Sequence, residues 1–385
     1  MCGIFLISGC GKYTEDDIIK DLTKKIENAK AYEITGTMEI TNNEDVYTYS
    51  VNVGYMEKDN YKISLMNLAN DHEQVILRNS DGVYVVTPSL NKSFKFQSDW
   101  PYNNSQVYLL GSILEDLTSD DNRKFEENDD GYLFTSSVNY PNNQKLVKQR
   151  VYMDKKLNIN EVNVLDENDN TQIKMVFDKI DLKAKFNDNY FDLDQLVKEE
   201  NNSSSNSNTD SNNTNNTNTD KENTNSNTNN NTNSNTNSNT NSNTNTDNNS
   251  ETGTDSSTDT QSSSTEETKT TATIEDVIYP MYLPTNTYLT NQETVETEDG
   301  ERLILTFGGD NPFMLIEETV NALDEHLIVP TSGDFDLLVD TIGVVSDNSI
   351  NWVSNGIEYY VISDVVETSE LLEVARSISV LPVSK

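Results

Sequence analysis

The sequence predicts a mostly β chain of the α+β class, made of two folded pieces on either side of a segment that cannot build a core. Apolar residues alternate with polar ones over much of residues 32–186, which is the period of half-buried strands. Between residues 201 and 250, 45 of 50 positions are Asn, Ser or Thr and none is apolar, so nothing there offsets the entropy lost in ordering the backbone. After residue 300 the alternation returns and closes in one amphipathic helical pattern.

In chain order, Thr14 with Asp17 three residues on marks a helix start, and Ile18, Leu22, Ile26 and Ala29 continue at helical spacing. This predicts a helix over about 15–30. Strands are expected at 32–40, 47–55, 61–65, 74–78, 83–87 and 93–97, with Asp81-Gly82 supplying the positive φ of a hairpin. Val107, Leu110, Leu114 and Leu117 repeat on one face and predict a second helix over 105–118, interrupting the meander as a lid would. Strands resume at 131–140, 144–153, 159–165, 173–180 and 182–186. The turn Asp166 to Asn170 lacks the glycine and terminal glutamate of a calcium-binding EF-hand loop, so a plain hairpin turn is expected.

Residues 201–272 contain no proline and read as a disordered, flexible linker whose ends lie roughly 40 to 50 Å apart by random-coil scaling. Residues 273–385 form the second piece. Tyr279-Pro280-Met281-Tyr282-Leu283-Pro284 suits an extended lead-in or edge strand. Strands follow at 302–307, 313–319, 337–339, 343–345, 351–353 and 358–362, the last two joined through Asn355-Gly356, and Thr368 or Ser369 caps a helix over 369–378. Trp352, Tyr359 and Tyr360 read as core.

Charge excludes one class of function. With 27 Lys and Arg against 65 Asp and Glu, the net charge is -38, and such a field repels nucleic acid. The second piece carries a net -18, with Arg302, Arg376 and Lys385 as its cations, so a partner docking there by charge is basic or a divalent cation intervenes, and otherwise the charge serves solubility. Two cysteines and two histidines give no zinc-ligand spacing, and no metal or cofactor is expected. Residues 1–9 form a short apolar run ending in Ile7-Ser8-Gly9-Cys10, the pattern of a bacterial lipobox. It predicts a signal remnant at 1–9 and a lipid attached to Cys10, although no basic residue precedes the run. A competing reading takes Met1-Cys2-Gly3-Ile4 as the start of a class II glutamine amidotransferase, with a nucleophilic N-terminal cysteine; the positions that follow, Phe5 and Leu6, do not fit that family well.

The succession of helix, strands, Gln74-Val75-Ile76-Leu77-Arg78 to Asp81-Gly82-Val83-Tyr84-Val85-Val86, Trp100-Pro101, and Met153-Asp154-Lys155-Lys156-Leu157 leading to Phe177-Asp178-Lys179-Ile180 resembles the LolA/LolB/RseB superfamily. Within it, the likeness is to the GerS/YdcC-like sporulation and germination lipoproteins of Gram-positive spore formers. The resemblance implies that residues 10–200 are a LolA-like incomplete β-barrel with helices in its mouth, and that 273–385 are a small α+β domain similar to the C-terminal half of RseB. It implies a non-enzymatic lipoprotein on the outer face of the cytoplasmic membrane, binding a lipid acyl chain or an envelope protein. A cortex-modifying amidase or a signalling membrane protein would be such a partner. An RseB-like regulator of an anti-sigma or envelope-stress protein is the alternative. Val107, Leu110, Leu114 and Leu117 are the candidate cavity or lid residues.

Overall fold

A computed structural model describes residues 13–198 and 273–378, apart from 275 and 299. Cys10, the run at 1–9, Cys2 and the tract at 201–272 lie outside the described residues. Helix α1 (Glu15–Glu27) begins at the expected capping box: the Asp17 amide donates to the Thr14 hydroxyl, and the Asp17 carboxylate accepts from the Thr14 amide at 3.1 Å. A run of hairpins follows, β1 (Ala31–Asn42), β2 (Asp45–Met56), β3 (Asn60–Asn67), β4 (His72–Asn79), β5 (Gly82–Thr87) and β6 (Lys92–Phe96). After α2 (Leu110–Ser119) come β7 (Lys124–Glu127), β8 (Gly131–Ser137), β9 (Lys148–Asp154), β10 (Ile159–Leu165) and β11 (Thr171–Asp181).

The second piece holds β12 (Thr287–Glu296), β13 (Glu301–Gly309), β14 (Phe313–Thr319), β15 (Leu327–Thr331), β16 (Asp334–Leu337), β17 (Ile342–Ser346), β18 (Ser349–Ser354), β19 (Ile357–Ile362) and α3 (Thr368–Arg376). Asn355 and Gly356 adopt φ of 49° and 79°, the two positive values a tight β18–β19 hairpin needs.

Among the described residues the strands form two open sheets. The larger has the order β15-β6-β5-β4-β3-β2-β1-β11-β10-β9-β8-β7, and the smaller β12-β13-β14-β19-β18-β17-β16. The chain is thus mostly β, as expected. Its first sheet is an incomplete barrel, closed in the middle by antiparallel pairing of β1 with the sequence-distant β11 and open between β7 and β15. Alternate residues of that sheet, such as Ile34, Met38, Val53, Ile63, Val162 and Met175, share one core with Ile18 and Leu22 of α1 and with Leu110, Ile113 and Leu117 of α2. A second cluster on the back of β4 and β5 joins Val75, Leu77, Tyr84 and Val86 to Phe191 and Leu196. In the smaller sheet, Leu303, Leu305, Leu315 and Val361 are buried with Leu371, Leu372 and Ala375 of α3.

Several boundaries differ from expectation. Residues 182–186 are not a strand; β11 ends at Asp181, and Phe186 instead stacks near Tyr190 and Phe191 behind the sheet. Helix α2 starts at Leu110, because 105–109 form a loop in which the Gln106 amide donates to Ser112 Oγ at 2.7 Å. Glu367, not Thr368 or Ser369, stands at the N-cap of α3, and the Thr368 hydroxyl donates to the Asp347 carbonyl at 2.7 Å. The strands β7, β12 and β15 carry no clear alternation and were not expected.

The two folded pieces form one compact unit. Strand β15 adds in parallel to the edge of β6, with Leu327 opposite Lys92 and Thr331 opposite Phe96. Phe335, Val339, Ile342 and Val344 belong to the core of the first sheet.

Candidate functional site

The inner face of the first sheet and the segment 335–342 of the second piece enclose a cavity of about 920 Å³. Ile40, Leu65, Ile76 and Ile173 supply its wall from the sheet; Val107 and Leu146 come from loops, and Phe335, Leu337, Val339 and Ile342 line the opposite side. Strand alternation explains most of this wall, since Ile40, Leu65 and Ile173 sit on the buried phase of their strands, while Ile76 belongs to β4, which is buried on both faces.

The covering segment is held through its backbone. Tyr49 OH donates to the Val339 carbonyl at 3.1 Å, and Asn67 Nδ2 donates to the Asp340 carbonyl at 3.3 Å. Gln74 uses both ends of its amide: Nε2 donates to the Ile342 carbonyl at 3.3 Å, and Oε1 accepts from the Ile342 amide at 2.6 Å and the Thr341 hydroxyl at 2.9 Å. Tyr49, Asn67 and Gln74 are themselves buried. They are the polar side chains that the inner face would otherwise leave unsatisfied. Asp340 bonds to the Ser354 hydroxyl, and burial pushes its carboxyl up from the usual range.

The mouth is polar and its cations are engaged. Arg376 Nη2 meets Asp336 Oδ2 at 2.9 Å, while Nη1 donates to the Asn142 carbonyl at 2.9 Å and to Glu373 Oε1 at 3.4 Å. Lys145 pairs with Glu373, and Asn42 Nδ2 donates to the Arg376 carbonyl at 3.1 Å. This network ties α3 to the 140–147 loop and to β1. Burial raises the Asp336 carboxyl, and Arg376 opposes that rise. Glu44, Asp45, Asn43 and Gln172 complete the rim.

Beside the cavity, Ser105 Oγ donates to Asp116 Oδ1 at 2.9 Å, and burial lifts the Asp116 carboxyl to about 7. Burial also raises the phenols of Tyr108 and Tyr140, which line the cavity. A cavity with apolar side chains on its inner wall and a hydrogen-bonded, charged rim can hold the apolar part of an amphipathic group. Ser93 Oγ lies 3.1 Å from His326 Nε2, but Ser93 is fully buried inside β6, and burial depresses the imidazole. That pair offers no exposed nucleophile. Among the described residues no group of three or more His, Cys, Asp or Glu gathers as a metal site, and no helix is long and apolar enough to cross a membrane.

Of the four candidate lid residues, Val107 lines the cavity. Leu110 lies over a small crevice with Leu22, Ile26, Leu157 and Ile159, and Leu114 and Leu117 are buried in the core. The sequence reading missed the covering segment, its holders Tyr49, Asn67 and Gln74, and the Arg376 network. A signal was present: 335–342 reads Phe-Asp-Leu-Leu-Val-Asp-Thr-Ile, an apolar stretch with two acids that was assigned in part to a strand.

Residues 1–191 match the family described as sporulation protein YdcC-like. Sporulation protein YdcC of Bacillus subtilis (strain 168) is 29% identical over 378 residues, covering 98% of this chain and 94% of that protein. Solved structures align over long stretches at low identity. A chain of the Pseudomonas aeruginosa MucA/MucB complex matches with 12% identity, 92% of this chain, 97% of its own and a TM-score of 0.29. A chain of the Clostridioides difficile CwlD amidase complex with the GerS lipoprotein matches with 15% identity, 46% of this chain, 98% of its own and a TM-score of 0.21. At such scores the fold rests on the strand order given above and not on these alignments.

Proposed function

We propose, from the match of residues 1–191 to the YdcC-like family of sporulation proteins, that the chain is a non-enzymatic envelope lipoprotein that receives an apolar group in the cavity under segment 335–342. The cavity carries this reading: about 920 Å³, with Ile40, Leu65, Ile76, Ile173 and Val107 on its inner wall. The apolar group is either an acyl chain of a lipid or a buried segment of an envelope protein, such as a cortex-modifying amidase or a signalling membrane protein. Cys10 is the proposed lipid attachment, which places the folded unit on the outer face of the cytoplasmic membrane.

Two experiments test this. A photo-crosslinking residue at Leu146, a cavity residue, should capture a lipid or an envelope protein in sporulating cells, and Ile173→Trp, which narrows the chamber at its wall, should reduce capture at 146. Crosslinking that is unchanged by Ile173→Trp in a folded variant would rule out the cavity as the site. Separately, Cys10→Ala should move the protein to the soluble fraction and end labelling by a fatty-acid probe.

A further inference from the structure

Strand β12 is the free edge of the smaller sheet. It runs for ten residues, of which Tyr288 to Glu296 are all exposed, and among the described residues no strand pairs with its outer side. The other sheet edges are short: β7 and β16 have four residues and β15 has five. Short edges resist further pairing, whereas a long exposed one presents a row of unpaired backbone donors and acceptors. A bulge interrupts the β12–β13 pairing between Leu289 and Asn291, but from Asn291 to Glu296 the register is unbroken. That six-residue stretch is a regular template.

Its charge specifies the occupant. Glu293 and Glu296 lie three residues apart, so their side chains leave opposite faces of the strand, and Glu298 and Glu301 follow directly. The nearest cation, Arg302, is held by Glu318 in a two-pronged contact at 2.8 and 3.0 Å. Arg376, the other described cation of this piece, is held by Asp336. The edge therefore offers backbone pairing and a carboxylate on each face, with no ion pair to Glu293 or Glu296 among the described residues.

We propose that β12 is a docking edge for a basic, extended segment of a partner protein, which adds as a further strand along Asn291–Glu296 with cationic side chains three positions apart opposite Glu293 and Glu296. Backbone hydrogen bonds give such an addition its affinity, and the side chains facing across the strand pair give it selectivity. A second copy of this chain is disfavoured as occupant by the net charge of -38.

The test uses the full chain and a short synthetic peptide of threonine and valine with two lysines three positions apart, followed by fluorescence anisotropy. The parent should bind it. A variant carrying Glu293→Lys and Glu296→Lys should bind about tenfold more weakly or worse and should gain binding to the same peptide with glutamates in place of the lysines. A peptide N-methylated at alternate amides should not bind the parent, because strand addition needs those donors. Both substituted side chains are exposed, and an unchanged melting temperature confirms that the variant is folded. The proposal is overturned if the parent does not bind, if the variant binds the lysine peptide within about twofold of the parent, or if the N-methylated peptide binds equally well. It is also overturned if the free protein sediments as a dimer that the variant disperses, since a second copy would then be the occupant.

Discussion

Glu317 is a carboxylate sealed in the core of the smaller sheet, with relative exposure of 0%. The Ile278 amide donates to it at 3.2 Å, among the described residues no ion pair reaches it, and burial lifts its pKa to about 7. The unfolded chain holds this group near its ordinary 4.5, so the folded state binds the proton more tightly. Stability is therefore full below about pH 4.5 and falls as the pH rises through 7. Glu317→Gln should leave stability at pH 4 almost unchanged and raise it at pH 8 by about 3 kcal/mol, measured by urea unfolding at both pH values; equal effects at both would contradict the assignment. Arg376 has the opposite character, since it is a half-buried partner whose removal strands Asp336. Arg376→Ala should cost about 3 kcal/mol or more, and adding Asp336→Asn should recover part of that loss in a double-mutant cycle. Glu317 was half legible in the sequence. Phe313, Leu315, Glu317 and Thr319 share one phase of β14, so alternation alone puts the carboxylate inside, while its charge argues for the surface. Arg376 was visible as a scarce cation in an acidic piece with Glu373 at i,i+3 spacing on the same helix, but its partners at 142 and 336 come from separate segments that no spacing connects.

At the scale of elements, hairpin neighbours were legible because β1, β2 and β3 alternate and β4 and β5, buried on both faces, are joined by the Asp81-Gly82 turn. The strands that escaped notice have another origin. Strand β12 has nine exposed residues in ten and exists because β13 offers it hydrogen bonds, and β15 is set by the edge of β6. Periodicity reports burial on one face, and it is silent where a strand has little to bury. The start of α2 was misplaced for a related reason: Val107 fits the helical spacing of Leu110, Leu114 and Leu117, yet it lies in the loop that lines the cavity, so the spacing there is coincidental. The incomplete barrel also depends on a contact that no local pattern reveals. At the β1–β11 junction the register shifts between Thr35 and Gly36, and a Cβ on Gly36 would lie 2.3 Å from the Val176 carbonyl oxygen. The backbone must move to admit any side chain there. Gly36→Ala is expected to destabilise the protein by about 2 kcal/mol and to speed hydrogen exchange across Met38 and Met175 more than across β4 and β5. A neutral substitution would show that the junction can relax.

For the whole molecule, the composition of residues 201–272 divides the sequence into two pieces but says nothing about whether they meet in space. They do meet, because the inner face of the first sheet keeps apolar residues and three buried polar side chains for 335–342 to satisfy. Phe335, Val339, Ile342 and Val344 are each at most 7% exposed in the first core, and burying side chains of this kind contributes about 1.5 to 3 kcal/mol apiece as an upper bound. Docking on that scale does not need a covalent connection between the pieces. If a protease site is placed within 201–272 and cut, the two fragments should therefore co-elute on gel filtration, and mild denaturant should be required to part them. Residues 13–198 on their own should bind a hydrophobic dye and melt below the intact chain, because the cavity then loses one wall and Gln74 loses its partners. Separation of the cut fragments in native buffer would mean that the apolar contacts are weaker than their burial implies. A cavity whose wall is a detachable part of the same chain also links ligand binding to docking. An occupant that fits the chamber with 335–342 in place should raise the denaturant concentration at which the cut fragments part, whereas one that displaces the segment should lower it.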